Sequence, residues 1–224
     1  MASDNYRRIC EEIHETAIRY GRKPEELTLV AVTKSVDWKT ANLLYAQGQR
    51  DFGENRVQQA LEKHEQSPSD CRWHLIGSLQ SNKVSKVIGK FTLIHSVDSP
   101  ELAHKLSQES CKRDLITPIL LQSNTSGEKA KHGLSPEQWK ERFKEILNLP
   151  GISIEGLMTI APFIDDESVI RKCFVRLRNL REELSVFADG RQRLLHLSMG
   201  MSHDFPFAIA EGATILRIGT ALFS

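Results

Sequence analysis

Several things are scarce in this sequence, and each scarcity closes a door. No apolar run approaches the roughly 20 residues a bilayer-spanning helix needs. Residues 1–20 carry Asp4, Glu11, Glu12 and Glu15 and no apolar stretch, which argues against a secretory leader or a transit peptide. The four cysteines (Cys10, Cys71, Cys111 and Cys173) lie far apart with no C-x-x-C pair. That spacing suits neither a disulfide frame nor a zinc site but does suit a reducing compartment, so a cytoplasmic protein is expected. An excess of one charge is also missing. Thirty Lys+Arg against 29 Asp+Glu leave a net charge of +1, with no electrostatic case for nucleic acid or an anionic membrane surface. Linkers rich in Pro, Gly and Ser are absent, and residues 1–224 are read as a single domain.

What is present is alternation. Residues 4–20 place Tyr6, Ile9, Cys10, Ile13, Ala17 and Tyr20 on one helical stripe, read as a covering helix stopped by Gly21. Strand patterns then occur at 27–34, 51–54, 72–76, 92–96, 118–122, 152–158, 194–197 and 214–218. Helical patterns separate them. Asp37, Ser99 and Ser135 are placed as helix N-caps, and Ser135 with Gln138 matches a capping box. Eight strands alternating with helices predict an α/β fold, a single (β/α)8 TIM barrel with an extra N-terminal helix. An open doubly wound sheet is the alternative, but the first strand ends in Thr33-Lys34-Ser35 without the glycines such a fold uses there.

The first strand carries the most pointed signal. Strand alternation puts Thr28, Val30, Val32 and Lys34 on one face. An ammonium on an apolar face must be paired, neutralised or chemically used, so Lys34 is a candidate imine-forming lysine activated by burial. The alternative is a lysine just past the strand end, facing water.

Barrel active sites form at the C-terminal ends of the strands. There the sequence sets Gly53-Glu54-Asn55, Gly77-Ser78 with Asn82-Lys83, His95-Ser96, Ser123-Asn124, Met158-Thr159, Ser198-Met199-Gly200-Met201-Ser202 and Gly219-Thr220. The last two loops are small and donor-rich and follow strands seven and eight, where barrels commonly bind phosphate; the first of them leads into a short helix. Ordinary barrel turns also favour Gly and Ser. Arg217, on the face of Ile215 and Gly219, must be paired or aimed at a ring nitrogen or an anion. His74 reads as a hydrogen-bonded core histidine, Trp73 as packing, and residues 123–133 as a solvated loop rather than a flap. A lysine, a phosphate cradle and an arginine across one barrel mouth fit a phosphorylated aldehyde, and pyridoxal 5′-phosphate (PLP) meets all three requirements.

With these residues stand Val30-Ala31-Val32-Thr33-Lys34, Phe52-Gly53-Glu54-Asn55-Arg56-Val57-Gln58, Trp73-His74-Leu75-Ile76-Gly77-Ser78-Leu79-Gln80-Ser81-Asn82-Lys83, Gly156-Leu157-Met158-Thr159, Leu197-Ser198-Met199-Gly200-Met201-Ser202-His203-Asp204 and Arg217-Ile218-Gly219-Thr220-Ala221-Leu222-Phe223. Together they resemble the YggS/PROSC family of PLP homeostasis proteins, from the first strand to the C-terminus. The resemblance implies an alanine racemase N-terminal-domain-like barrel that binds PLP without established turnover. It implies a Schiff base on Lys34, Arg217 at the pyridine nitrogen, and the loops 198–202 and 219–220 at the phosphate. Asn55, His74 and Met158 would line the pocket, and Ser198, Met199, Gly200, Ser202, Gly219 and Thr220 belong to the phosphate loops. Which of Ser198 and Ser202 reaches the phosphate by its side chain stays open. The chain departs from the family in ending Leu222-Phe223-Ser224 rather than Ile-Phe-Gly, and in the flap sequence 124–129.

The function expected on this basis is intracellular PLP (vitamin B6) homeostasis, as carrier or regulator. The alternative is a PLP-dependent amino-acid racemase, and an aldolase-type Schiff-base enzyme is a third reading. A two-base racemase of this fold needs a tyrosine from a second domain. The sequence ends six residues after strand eight, and its three tyrosines (Tyr6, Tyr20 and Tyr45) all fall on expected helices. Lysine aldolases usually carry the lysine on strand six, where residues 152–158 have none. Expected partners are PLP and the apo forms of PLP-dependent enzymes as recipients, with no nucleic acid and no membrane. A monomer or weak dimer, with no metal and no catalytic residue, completes the expectation.

Overall fold

The computed structural model describes residues 2–128, 131–188 and 194–224. Eight parallel strands close into a barrel in sequence order: β1 (Thr28–Val32), β2 (Asp51–Glu54), β3 (Arg72–Leu75), β4 (Leu93–Val97), β5 (Thr117–Gln122), β6 (Ile152–Met158), β7 (His196–Ser198) and β8 (Ile215–Ile218). Closure is by β1 against β8, with Val30 opposite Arg217. The helices are α1 (Ala2–Arg19), α2 (Trp38–Tyr45), α3 (Val57–Gln66), α4 (Val84–Val87), α5 (Pro100–Cys111), α6 (Pro136–Arg142), α7 (Glu167–Ser185), α8 (Phe205–Ala210) and α9 (Thr220–Phe223). None of them is long and apolar enough to cross a membrane.

The helix starts follow the local chemistry of their caps. Asp37 accepts from the Thr40 N–H at 2.8 Å, and Ser99 from Leu102. The capping box of Ser135 and Gln138 is formed in both directions. Asp166 accepts from Ser168 and Val169 at the head of α7. Each such cap contributes about 1 kcal/mol by satisfying donors that the first helical turn leaves free.

Three expectations shift. The helical pattern between the third and fourth strands breaks into a 3₁₀ turn at Ser81–Lys83 followed by the single turn of α4. The first strand stops at Val32, two residues before Lys34: Thr33 N–H makes the last ladder bond, to Gly53 O, and the Thr33 carbonyl is taken by Val36 N–H in a turn and by Lys63 Nζ. Tyr20 lies beyond α1 and is exposed, whereas Ile9, Ile13 and Ala17 of the expected stripe are buried.

Burial is divided between two layers. Between strands and helices lies a large apolar shell that includes Trp73, Trp139, Phe52, Phe143 and Phe174. Trp38, Phe52 and Trp73 meet in it with centroids 5.5–6.0 Å apart. Each large side chain buried there contributes about 1.5–3 kcal/mol. Inside the barrel a separate small cluster of Val30, Leu93, Leu120, Met158 and Ile215 shares the lumen with polar side chains.

Candidate functional site

Parallel register fixes which residues face the lumen. Val32 pairs with Gly53, Gly53 with His74, and Val30 with Arg217. Partners across a parallel ladder share a face, so His74 and Arg217 belong to the same inner surface as Val30. Both are buried, Arg217 at 4% exposure.

These side chains form one hydrogen-bonded chain across the lumen. Arg217 donates Nη2–H to the Thr159 carbonyl at 2.8 Å and Nη1–H to Ser198 Oγ at 2.6 Å. Ser198 Oγ lies 2.8 Å from His95 Nδ1. His95 Nε2 lies 2.9 Å from His74 Nδ1, and His74 Nε2 lies 3.0 Å from Asp51 Oδ1. Arg72 closes the far end on Asp51 with Nε–H and Nη2–H, at 2.7 and 2.5 Å. The reading of His74 as a hydrogen-bonded core histidine is borne out, and both its ring nitrogens are engaged.

The charges of this chain follow from burial. Burial draws the Arg217 guanidinium down to about 10, opposed by the Asp204 carboxylate, so it remains a cation at neutral pH. Burial, reinforced by the His74, Arg217 and His196 positive forms, pulls His95 well below the ordinary imidazole range. Burial pushes the Asp51 carboxyl up, but the hydrogen bonds from Arg72 and His74, with their positive charges, together hold it below the ordinary value. Arg217 has no carboxylate at ion-pair distance among the described residues, and only two of its five N–H donors are used in the bonds above.

Around Arg217 the last two strands open into the mouth. Gly200 has φ +94, and a Cβ there would lie 2.7 Å from the Ala208 Cβ, so no larger residue fits without displacement. A Cβ on Gly219 would meet the Val32 Cβ at 3.2 Å. Ser202 Oγ accepts from the Ala221 N–H at 3.3 Å and ties the two loops together. Ser202 and Gly219 are half-buried and Thr220 is exposed. Asp204 is buried beneath the first loop; burial raises its pKa against the Met201 N–H bond and the His203 and Arg217 charges. Its Oδ1 accepts from Met201 N–H, and its Oδ2 has no hydrogen-bond partner among the described residues.

Lys34 itself is exposed in the turn after β1. This corrects the expectation that it shares an apolar strand face: the strand ends at Val32, and desolvation by a strand wall is not what would make its amine reactive. Lys34 borders a depression of about 390 Å³ with Ser35, Asp37, Gln59 and Lys63. The backbone before it is clamped. Lys63 Nζ donates to the Thr33 carbonyl at 2.6 Å and to Glu54 Oε1, which also accepts from Thr33 Oγ1 at 2.6 Å. Glu54 is fully buried.

The remaining expected residues divide. Asn55 follows β2, half-buried, with its backbone packed so closely that a Cβ on Gly77 would fall 2.2 Å from the Asn55 carbonyl oxygen. Met158 faces the lumen in the small inner cluster. Met199 does not join them: its side chain is wholly buried in the outer shell. Strand alternation after Ser198 turns it outward, so only its backbone belongs to the loop. Residues 123–133 are pinned in part, by Ser123 Oγ on Leu134 O and Lys131 Nζ on Ile160 O, while Lys129 lies outside the described residues. Asp51, Asp204 and Lys63 were not among the expected site residues, and His95 was expected only as a residue at the end of the fourth strand. For Asp51 and His95 the signal was available, since counting by twos from Gly53 and Leu93 puts both on the lumen face.

The donor set fits a phosphorylated pyridine aldehyde: an accessible amine, a buried guanidinium with donors to spare, and two glycine-containing loops with hydroxyls. The alanine racemase N-terminal domain family matches residues 19–224. A pyridoxal phosphate homeostasis protein of Aquifex aeolicus is 42% identical over 99% of this chain and 97% of its own length. PipY of Synechococcus elongatus, solved with PLP bound, superposes with a TM-score of 0.83 at 38% identity, over 95% of this chain and all of that one. An alanine racemase of Clostridium difficile shares the fold at TM-score 0.77 and 17% identity, over 98% of this chain but 56% of its own.

Proposed function

This chain belongs to the alanine racemase N-terminal domain family, among the pyridoxal phosphate homeostasis proteins, and from that premise we propose that it holds PLP at the barrel mouth and serves as a PLP carrier or regulator. When bound, PLP supplies an aldehyde that condenses with a primary amine, a pyridine nitrogen and a phosphate. Lys34 supplies the amine. Arg217 donates to the ring nitrogen and, as a cation that keeps its proton, leaves that nitrogen unprotonated. The backbone of Gly200 and Gly219 and the hydroxyls of Ser202 and Thr220 take the phosphate. Ser198 is the weaker candidate for that contact, because its hydroxyl is held between Arg217 and His95. Asn55, His74 and Met158 border the ring.

The observation that carries this reading is Arg217: a buried cation with unused donors, facing two narrow loops at the one end of the barrel where Lys34 also emerges. The test is retention of PLP through exhaustive dialysis, followed by its visible absorption. The parent chain retains the band and Lys34→Ala loses it; equal retention by both would overturn the reading.

A carrier rather than an amino-acid racemase is supported by the tyrosines. Tyr6 donates to Gln49 on α1's inner side, Tyr45 to Asp70, and Tyr20 lies just past α1, so none stands at the mouth. PLP-loaded protein is therefore expected to give no sustained racemisation of alanine and to restore activity to a PLP-dependent enzyme stripped of cofactor. Multiple turnovers without such transfer would favour the racemase.

A further inference from the structure

Beyond the residues that reach the cofactor, we propose that His95, backed by His74 and Asp51, positions Arg217 for its bond to the ring nitrogen. This rests on the reading that Arg217 meets that nitrogen.

Arg217 can only donate. Ser198 Oγ must therefore accept from it, which leaves the Ser198 hydroxyl proton for His95 Nδ1. His95 Nδ1 is then an acceptor, so its proton sits on Nε2 and is donated to His74 Nδ1. His74 in turn carries its proton on Nε2 and donates it to Asp51. With both imidazoles neutral, every group is satisfied and every donor points the same way, from Arg217 toward the carboxylate. The acceptor ends of the dipoles face the buried cation and their donor ends face the anion.

Only one arrangement does this. A proton added to the histidine pair makes His74 a donor on both nitrogens. His95 must then accept at Nε2 and donate from Nδ1, and Ser198 receives two donors while its own hydrogen loses its acceptor. The disturbance arrives at the group that holds Arg217. The groups facing His95 are His74 and Ser198, with the charges of Arg217 and His196 acting on it; those facing Asp51 are His74 and Arg72. A guanidinium held by a single serine hydroxyl and one carbonyl would swing; this serine is fixed because its proton has one destination. His95 and Asp51 touch no expected part of the cofactor, so they are positioning residues.

The test uses the full chain and three variants. His95→Leu keeps an apolar volume and removes the relay. His95→Gln can donate to His74 and accept from Ser198. Asp51→Asn alters the far end of the lumen. Nitrogen-15 spectra of labelled histidine in the cofactor-free parent are expected to show His74 and His95 as neutral Nε2–H tautomers at pH 7. His95→Leu is expected to raise the PLP dissociation constant about tenfold and His95→Gln to return it to within about twofold of the parent, with Asp51→Asn between them. All three should still form the covalent bond at Lys34. Parent-like affinity in His95→Leu, failure of His95→Gln to rescue, or the opposite tautomer at His95 overturns the proposal. Should His95→Leu not fold, the tautomers and Asp51→Asn decide it. Loss of PLP binding at Lys34 in the parent itself would instead overturn the proposed function, and the tautomer result would stand apart from it.

Discussion

The shell and the lumen of this barrel are both buried, yet they are built from opposite materials. The shell packs Trp73, Trp139, Phe143, Phe174 and their neighbours, with its polar groups in isolated pairs such as Glu54 with Lys63 and Ser110 with Thr117. The lumen holds a small apolar cluster and a run of polar side chains linking Asp51 to Arg217. Burying apolar area is non-directional and stabilises whatever orientation packs densely. A buried polar chain stabilises little on balance, but it permits only the orientation in which each donor finds its acceptor. The shell therefore sets how stable the barrel is, and the lumen sets where Arg217 points.

That division can be broken from either side. Trp139→Ala empties a fully buried site whose indole N–H also donates to the Gln122 carbonyl at 2.9 Å. A loss of about 3–5 kcal/mol is expected by urea denaturation, with PLP bound per folded molecule unchanged. Lys63→Met should cost on the order of 3 kcal/mol, because Glu54 is left as an unpaired buried carboxylate, and the further change Glu54→Leu should recover most of it. An equal loss in the double variant would mean that the pair itself, rather than the stranded charge, matters.

The smallest effect is in pH. His95 and His196 are held below the ordinary imidazole value by burial, so in this range the unfolded chain binds protons that the folded one refuses. Stability is then complete above about pH 6.5 and falls below it, by about 1.4 kcal/mol per pH unit for each such histidine, until the folded-state values are reached. His95→Gln should remove one histidine's slope. Asp51 acts in the same direction at lower pH. Its depressed value gives stability that is present above about 3.9 and lost as pH falls through the folded-state value. An unchanged slope in His95→Gln would mean that His95 is not neutral in the lumen.

Much of this architecture was legible in the sequence. Eight strand patterns and the caps at Asp37, Ser99 and Ser135 depend on neighbours a few residues apart, which a sequence displays. Arg217 and its mouth loops followed from the rule that barrels place their sites after the strands. The end of β1 was not legible, because the Thr33 carbonyl is diverted from the ladder by Lys63 Nζ, a group thirty positions away. Met199 was assigned with its loop and turned out to face the shell. The lumen chain joins five different strands, so its members are adjacent only after the barrel has closed. Alternation could place each of them on the inner face but could not show that they touch.

The most direct test of the account is the position of the label after PLP-loaded protein is reduced with borohydride, digested and read by mass spectrometry. The account predicts the pyridoxyl group on the peptide carrying Lys34 and its absence from the Lys34→Ala variant. A label on Lys63 or Lys131, or one that survives Lys34→Ala, would contradict it.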